Sequence, residues 1–188
     1  WVGTHSARVS AASQPAPLEA PVGAALLPGL GNYDFKITTR NPEVQRWFNQ
    51  GLMLTFGFNH DAAERSFLKA AQLDPDCAMC WWGAALVLGP HVNAQMDPAD
   101  NPKAWQSLQR AVEPAHKVPA RERAFIHQLE SRYAENPPED RRALDEAYAK
   151  ATGTLVAQRP ADLDAAVFHA EALMDLQPWD YYDEKLQP

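Results

Sequence analysis

Two cysteines separated by two residues form the motif in this sequence whose spacing points most directly to chemistry. Cys77 and Cys80 are the only cysteines of the 188-residue chain. On the first turn of a helix, this spacing permits a local disulfide, thiols whose pKa is lowered by the helix dipole, or a metal site. Covalent haem attachment is disfavoured, because that motif needs a histidine after the second cysteine and Trp81 stands there. A thioredoxin-like oxidoreductase is disfavoured as well, because no strand is predicted before the motif.

A metal site at the cysteine pair needs further ligands, and His116 is the candidate. If the helices stack as antiparallel pairs, the first helices of successive pairs all begin at the same edge of the stack. Cys77 lies at the start of one such helix and His116 lies just before the next, so the two residues would share that edge. Two sulfurs and one imidazole would suit copper or zinc, whereas the disulfide hypothesis requires no cofactor. His91 is too far away, because 14 residues of helix span about 21 Å. A weaker hypothesis places a second, copper-type site at His91 with His60 and Met96 on the opposite edge.

Composition excludes some classes of function. The chain has 17 Lys and Arg against 24 Asp and Glu, a net charge of −7, which disfavours binding to a nucleic acid backbone. Its longest stretch free of both charged and strongly polar residues, residues 77–90, is shorter than the roughly 20 residues that a membrane span needs. The sequence has no nucleotide-binding loop, nucleophile elbow or zinc-protease motif, so nothing in it indicates an enzyme.

The hydrophobic periodicity predicts helices throughout most of the chain and no convincing strand. The predicted helices span 42–57, 61–73, 77–88, 102–114, 120–134, 139–158 and 163–176. Prolines at or near their ends provide start and stop signals. Residues 1–31 are rich in Ala and Pro and show no periodicity, so we assign 1–40 to an extended arm and 41–188 to an all-α array.

The first predicted helix pair carries a set of small and large apolar residues with a defined spacing. These residues are Trp47, Gly51, Leu54, Ala63, Phe67, Ala70 and Pro75. In this respect the chain resembles the tetratricopeptide repeat family, with Gln50 as a departure where that motif usually has Leu. The resemblance implies a right-handed α-solenoid of stacked antiparallel helix pairs. Its parts would be repeat 1 at 41–76, repeat 2 with an inserted loop at 77–116, a degenerate repeat 3 at 119–160, and an unpaired helix with an aromatic tail at 162–188.

The resemblance also implies a binding surface, because such repeats bind peptides or proteins on the concave face lined by the first helix of each pair. The candidate contacts on this face and on the tail are Phe48, Asn49, Leu52, Met79, Trp82, Leu86, Trp179 and Tyr181. A carboxylate clamp of the chaperone-binding type is not expected, since Phe48 and Leu52 occupy its positions. We expect an apolar extended or helical segment there, or the N-terminal arm itself. The alternative is that Phe48 and Trp82 are simply core residues.

Together these features predict a non-catalytic scaffold module of a larger extracytoplasmic assembly, with a protein or peptide partner and no membrane span. It would be a subunit of a complex or a fragment of a longer array. The sequence begins at Trp1 rather than Met, which together with the cysteine spacing favours a processed protein in the periplasm or outside the cell. The alternative is a metal-binding or redox accessory protein that uses Cys77 and Cys80.

Overall fold

The computed structural model describes residues 23–179 and 181–187. Within these ranges it contains seven α-helices and no β-strand, which confirms the predicted all-α class. The helices are α1 (Pro42–Phe56), α2 (His60–Leu73), α3 (Ala78–Leu86), α4 (Asn101–Val112), α5 (Ala120–Leu129), α6 (Arg142–Gln158) and α7 (Leu163–Leu176). Single 3₁₀ turns occur at Pro98–Asp100, Ala115–Lys117 and Glu130–Arg132.

Side chains just before the helices determine where several of them begin. Asn41 accepts a hydrogen bond from the Glu43 amide at the start of α1, and Asp162 accepts one from the Ala165 amide at the start of α7. These residue types are favoured at N-caps because they satisfy amide groups that have no partner inside the helix. Helix α6 begins three residues later than predicted, at Arg142, whose amide is bonded to the Asp140 carboxylate.

Neighbouring helices along the chain pack against each other. Helix α1 packs on α2, α3 on α4, and α6 on α7, while α2 also contacts α3 and α5 contacts α3, α4 and α6. Only residues 57–59 join α1 to α2, so these two helices must lie antiparallel. Phe58, in this turn, has a φ of 57° and reverses the chain direction in the left-handed region. None of the described helices is both long enough and apolar enough to cross a membrane.

Glycines allow the first three helices to approach one another closely. A Cβ atom added to Gly51 would lie 2.6 Å from the ring of Phe67, and one added to Gly83 would lie 2.4 Å from the same ring. Phe67 therefore projects from α2 between α1 and α3 and fills the space that two absent side chains leave. This contact explains why the sequence has glycine at both positions within helices, where glycine is otherwise unfavourable.

The part of the predicted arm that the structure describes packs against the helices. Residues 1–22 lie outside the described residues, and residues 23–40 form no helix or strand. Yet Phe35 is 1% exposed and Ile37 is 9% exposed, so this part of the chain is built into the core. We call residues 33–38 the inner segment.

The Gly83 contact generates a test of this packing. We expect Gly83→Ala to lower the free energy of unfolding by about 1–3 kcal/mol, because overpacking outweighs the gain in helix propensity. Combining it with Phe67→Leu should cost less than the sum of the two single changes, since the smaller side chain makes room for the new methyl group. Urea denaturation of the three variants measures both quantities. A Gly83→Ala protein as stable as the unmodified chain would contradict the close contact.

Candidate functional site

The aromatic face predicted to bind a partner is closed in the structure. Five of its predicted contact residues are buried within the described chain: Phe48, Leu52, Met79, Trp82 and Leu86. Asn49 is half-buried and hydrogen-bonded to Asp34 of the inner segment. The inner segment, which belongs to the predicted arm, covers α1, α3 and α5, and Phe168 of α7 also packs on Trp82. Phe48 and Trp82 are therefore core residues, as the alternative interpretation predicted, and the arm occupies this face.

Phe35 is the centre of this cover. Its ring centroid lies 5.7 Å from that of Phe48, 6.4 Å from that of Trp82 and 5.4 Å from that of Phe125. The guanidinium carbon of Arg121 lies 4.2 Å from the centroid of the Phe35 ring. One side chain thus contacts α1, α3 and α5 at once, and the cation over its face adds to the hydrophobic contact.

Two glutamines of α1 hold the backbone of residues 25–37. The Gln45 amide donates to the carbonyl oxygen of Phe35 (2.8 Å) and accepts from the amide of Ile37 (3.1 Å). The Gln50 amide likewise donates to the carbonyl of Ala25 (2.9 Å) and accepts from the amide of Leu27 (2.7 Å). Because buried backbone groups need partners, each glutamine satisfies a donor and an acceptor of a chain that has no sheet to join. Gln50, the departure from the repeat motif, has this role.

Arg121 connects the inner segment to α7. Its guanidinium donates to both carboxylate oxygens of Asp162, at 2.6 and 2.9 Å, and to Asp164 at 2.6 Å. These bonds hold the pKa of the Asp162 carboxyl below its usual range. Asp164 also accepts a hydrogen bond from the hydroxyl of Tyr33, and burial together with this carboxylate raises the pKa of Tyr33. The network joins α5, α7 and the inner segment through charge-assisted hydrogen bonds.

In contrast to the closed face, one side of α7 is uncovered. Exposed apolar residues recur at the spacing of a continuous helical stripe. We call this set the α7 stripe; its members are Leu163, Ala166, Val167, Ala170, Leu173 and Met174. Of the two tail residues predicted as contacts, Trp179 is 76% exposed and Tyr181 is half-buried. The stripe and Trp179 give this end of the described chain an apolar surface.

The cysteine pair forms a disulfide, and both cysteines are buried. Cys77 caps α3, with its sulfur 3.2 Å from the amide nitrogen of Cys80. His116 is exposed, and its Nδ1 lies 3.1 Å from the carbonyl oxygen of Glu113. The predicted three-ligand metal site is therefore not formed, because the sulfurs are bonded to each other. In residues 23–179 and 181–187, no group of three or more His, Cys, Asp or Glu side chains is placed to hold a metal ion.

His60 and His91, which were predicted to lie on the edge opposite the cysteine pair, lie side by side. The rings of His60 and His91 stack with centroids 4.1 Å apart and an interplanar angle of 13°. Burial, the neighbouring His60 and the charge of Arg132 lower the pKa of His91. In nearly parallel rings the nitrogen lone pairs lie in separate planes, so the pair does not converge on one metal ion. Stacking rather than ligation accounts for this arrangement.

A buried charged cluster, which sequence analysis missed, anchors the loop between α3 and α4. Arg132 is 2% exposed; it donates to Asp175 of α7 at 3.0 Å and to the carbonyl of Pro90 in the loop. Gly89 permits this approach, because a Cβ atom there would lie 2.8 Å from Nε of Arg132. The ring of Tyr148 packs against the guanidinium, 4.5 Å away. The cluster thus connects the loop, α6 and α7.

The residues that sequence analysis missed share a recognisable pattern. Tyr33, Phe35 and Ile37 alternate with Asp34 and Lys36, which is the period of an extended chain with one buried face. A glutamine in an otherwise apolar helix motif was a further indication that a backbone partner lies nearby. For Arg132 no local pattern was available, since its partner Asp175 is 43 residues away.

The Arg132 cluster predicts a pH dependence. Burial raises the pKa of Asp175 to about 7; the Arg132 charge opposes this rise and the Glu171 charge adds to it. The folded state binds the proton of the Asp175 carboxyl more tightly than the unfolded state does. The stabilisation that this proton gives to the folded state is therefore complete below the ordinary pKa of an aspartate and is lost as the pH rises towards 7. We expect the free energy of unfolding to fall by a few kcal/mol between pH 5 and pH 8, at about 1.4 kcal/mol per pKa unit.

Asp175→Asn, which resembles the protonated acid, should reduce the change in the free energy of unfolding with pH. Glu135→Gln, a change at an exposed glutamate, should leave this pH dependence unchanged. Urea denaturation at both pH values measures the slopes. Equal slopes for Asp175→Asn and the unmodified chain would refute the assignment.

Comparison of the chain with family models, with curated proteins and with solved structures gave no match. Its function is therefore inferred from the geometry of the closed face, the α7 stripe and the disulfide.

Proposed function

We propose that this protein is a non-catalytic interaction module, built as a tetratricopeptide-like stack of helix pairs, that binds an amphipathic helix of another protein on the α7 stripe. The observation that supports this proposal is the exposure of the stripe, where Leu163 is 78% exposed and Val167 48% exposed. Contiguous exposed apolar surface of this kind typically marks an interaction site. The predicted concave-face contacts are not part of the proposal, because the chain itself covers them.

Helix α3 provides an internal template for how α7 would be covered. All nine residues of α3 are buried, because α2 packs on one side of it and α4 on the other. Helix α7 packs on α6, and its buried residues are Ala165, Phe168 and Ala172. In the described chain no helix packs against α7 in the way that α4 packs against α3. The partner would then be a helix like α4, whose buried residues are Asn101, Ala104, Ser107, Leu108 and Ala111.

Charge distinguishes a foreign partner from a second copy of this chain. Between residues 162 and 175 the sequence has four acidic residues, at positions 162, 164, 171 and 175, and no Lys or Arg. Asp162 and Asp164 are ion-paired with Arg121, and the Asp175 side chain is buried against Arg132, so Glu171 is the one acidic residue of this set with no ion pair in the described chain. Two copies meeting through α7 would each place Glu171 at the contact, which is unfavourable. A helix with Lys or Arg beside its apolar stripe is complementary instead.

The disulfide supports a location in an oxidising compartment, the periplasm or the extracellular space. Disulfides persist in such compartments and are rare in reducing ones. The bond closes a loop of only four residues at the start of α3, so its effect on the fold is local. This supports a structural rather than a catalytic role for Cys77 and Cys80.

Site-specific photo-crosslinking in the native host tests the docking proposal. With the crosslinker at position 167, we expect adducts to another protein, located on an apolar helix face with Lys or Arg within one turn. Position 109, on the exposed side of α4, is the matched control and should give fewer adducts. Crosslinks only between copies of this chain, or equal yields at the two positions, would contradict the proposal.

A substitution then measures the energetic role of the stripe. Val167→Asp should weaken binding of the crosslinked partner at least about tenfold, because the new carboxylate would be buried without a partner. Gln109→Asp adds the same charge on α4 and should leave the affinity unchanged. Both variants should retain the unmodified thermal midpoint within a few degrees, since both positions are exposed.

A further inference from the structure

The inner segment occupies the face of α1, α3 and α5 in the manner of a bound peptide. We propose that this face is a groove for an extended peptide with an aromatic and an aliphatic residue two positions apart, and that residues 33–38 are its exchangeable occupant. A segment of the same type from another protein would bind when the inner segment is released. This inference goes beyond the proposed function, because it rests on the contacts of the inner segment and not on the α7 stripe.

The groove recognises backbone and alternate side chains separately. The Gln45 amide pairs with the carbonyl of Phe35 and the amide of Ile37, which any extended peptide can offer at the same spacing. Phe35 and Ile37 are buried, whereas the side chains of Asp34 and Lys36 between them are 40% and 79% exposed. Strand-addition complexes show the same division, in which the main chain gives affinity and alternate side chains give specificity.

The ends of the inner segment are bound by acidic residues. At the N-terminal end the hydroxyl of Tyr33 donates to Asp164, and at the C-terminal end the hydroxyl of Thr38 donates to Glu122 at 2.7 Å. Glu122 is 5% exposed, and its second oxygen has no hydrogen-bond partner in the described chain. The groove therefore favours a peptide with hydroxyl or other donor groups on both sides of the aromatic residue.

The attachment of residues 23–40 explains why they can exchange. In the described structure these residues form no backbone-to-backbone hydrogen bond with any helix, and their amide and carbonyl bonds go to the side chains of Gln45 and Gln50. A cavity of about 560 Å³ is lined by residues 29–34, by Leu26, Leu27 and Lys36, and by residues of α1. A segment held by side chains and bordered by a cavity opens at lower free energy than the helices it covers.

Binding of a synthetic peptide in trans tests this proposal. The probe is a fluorescein-labelled peptide of residues 30–40, titrated by anisotropy into the full chain carrying Phe35→Ala, whose groove has lost its central ring. We expect saturable binding to this variant, and apparent affinity for the unmodified chain at least about tenfold lower, because its own segment competes. The same peptide with Phe35→Ala is the matched control and should not bind.

A second variant covers the case in which Phe35→Ala does not fold. Tyr33→Phe with Thr38→Val removes hydrogen bonds at both ends of the segment without leaving a large cavity, and should bind the peptide in the same way. The absence of saturable binding to every folded variant would overturn the proposal. The same holds if neither variant folds with or without peptide, or if the unmodified chain binds the peptide as tightly as the variants do.

Discussion

The indole of Trp82 is the contact on which the rest of the fold depends. It is fully buried, and its Nε1 donates to the carbonyl of Phe125 at 2.9 Å. Its ring lies within 6.5 Å, centroid to centroid, of the rings of Phe35, Phe48, Phe125 and Phe168. These residues belong to the inner segment, α1, α5 and α7, so a single side chain of α3 meets four other parts of the chain. Because the indole N–H needs its hydrogen-bond partner inside this aromatic cluster, the bond to Phe125 also favours one arrangement of these helices over others.

This central cluster separates two surfaces with different properties. On one side the inner segment closes the face of α1, α3 and α5, with Arg121 holding it against α7 through two aspartates. On the other side, α7 uses its inner residues to complete the cluster and leaves its outer stripe uncovered. The same helix therefore stabilises the fold and presents the surface on which we propose that a partner binds.

Local features of the sequence predicted the helices well. Features that depend on contacts between residues far apart in the sequence could not be predicted. Helix α1 was identified from its hydrophobic periodicity, a pattern that acts within a few residues. The Cys77–Cys80 disulfide was one of several hypotheses, because its spacing alone does not define the oxidation state. Phe35 is buried by contacts with helices as far as 90 residues away, at Phe125. The residues next to Phe35 in the sequence therefore could not predict its burial. The pairing of Arg132 with Asp175 could not be predicted for the same reason.

Hydroxyl-radical footprinting of the purified chain, analysed by mass spectrometry, tests the distinction between a closed face and an open α7 most directly. We expect rapid oxidation of Met174 and Trp179, which are 38% and 76% exposed, and slow oxidation of Phe35, Met79 and Trp82, which are 1% exposed or less. Comparable rates for Trp82 and Trp179 would show that the face of α1, α3 and α5 is open in solution, and would contradict the closed arrangement.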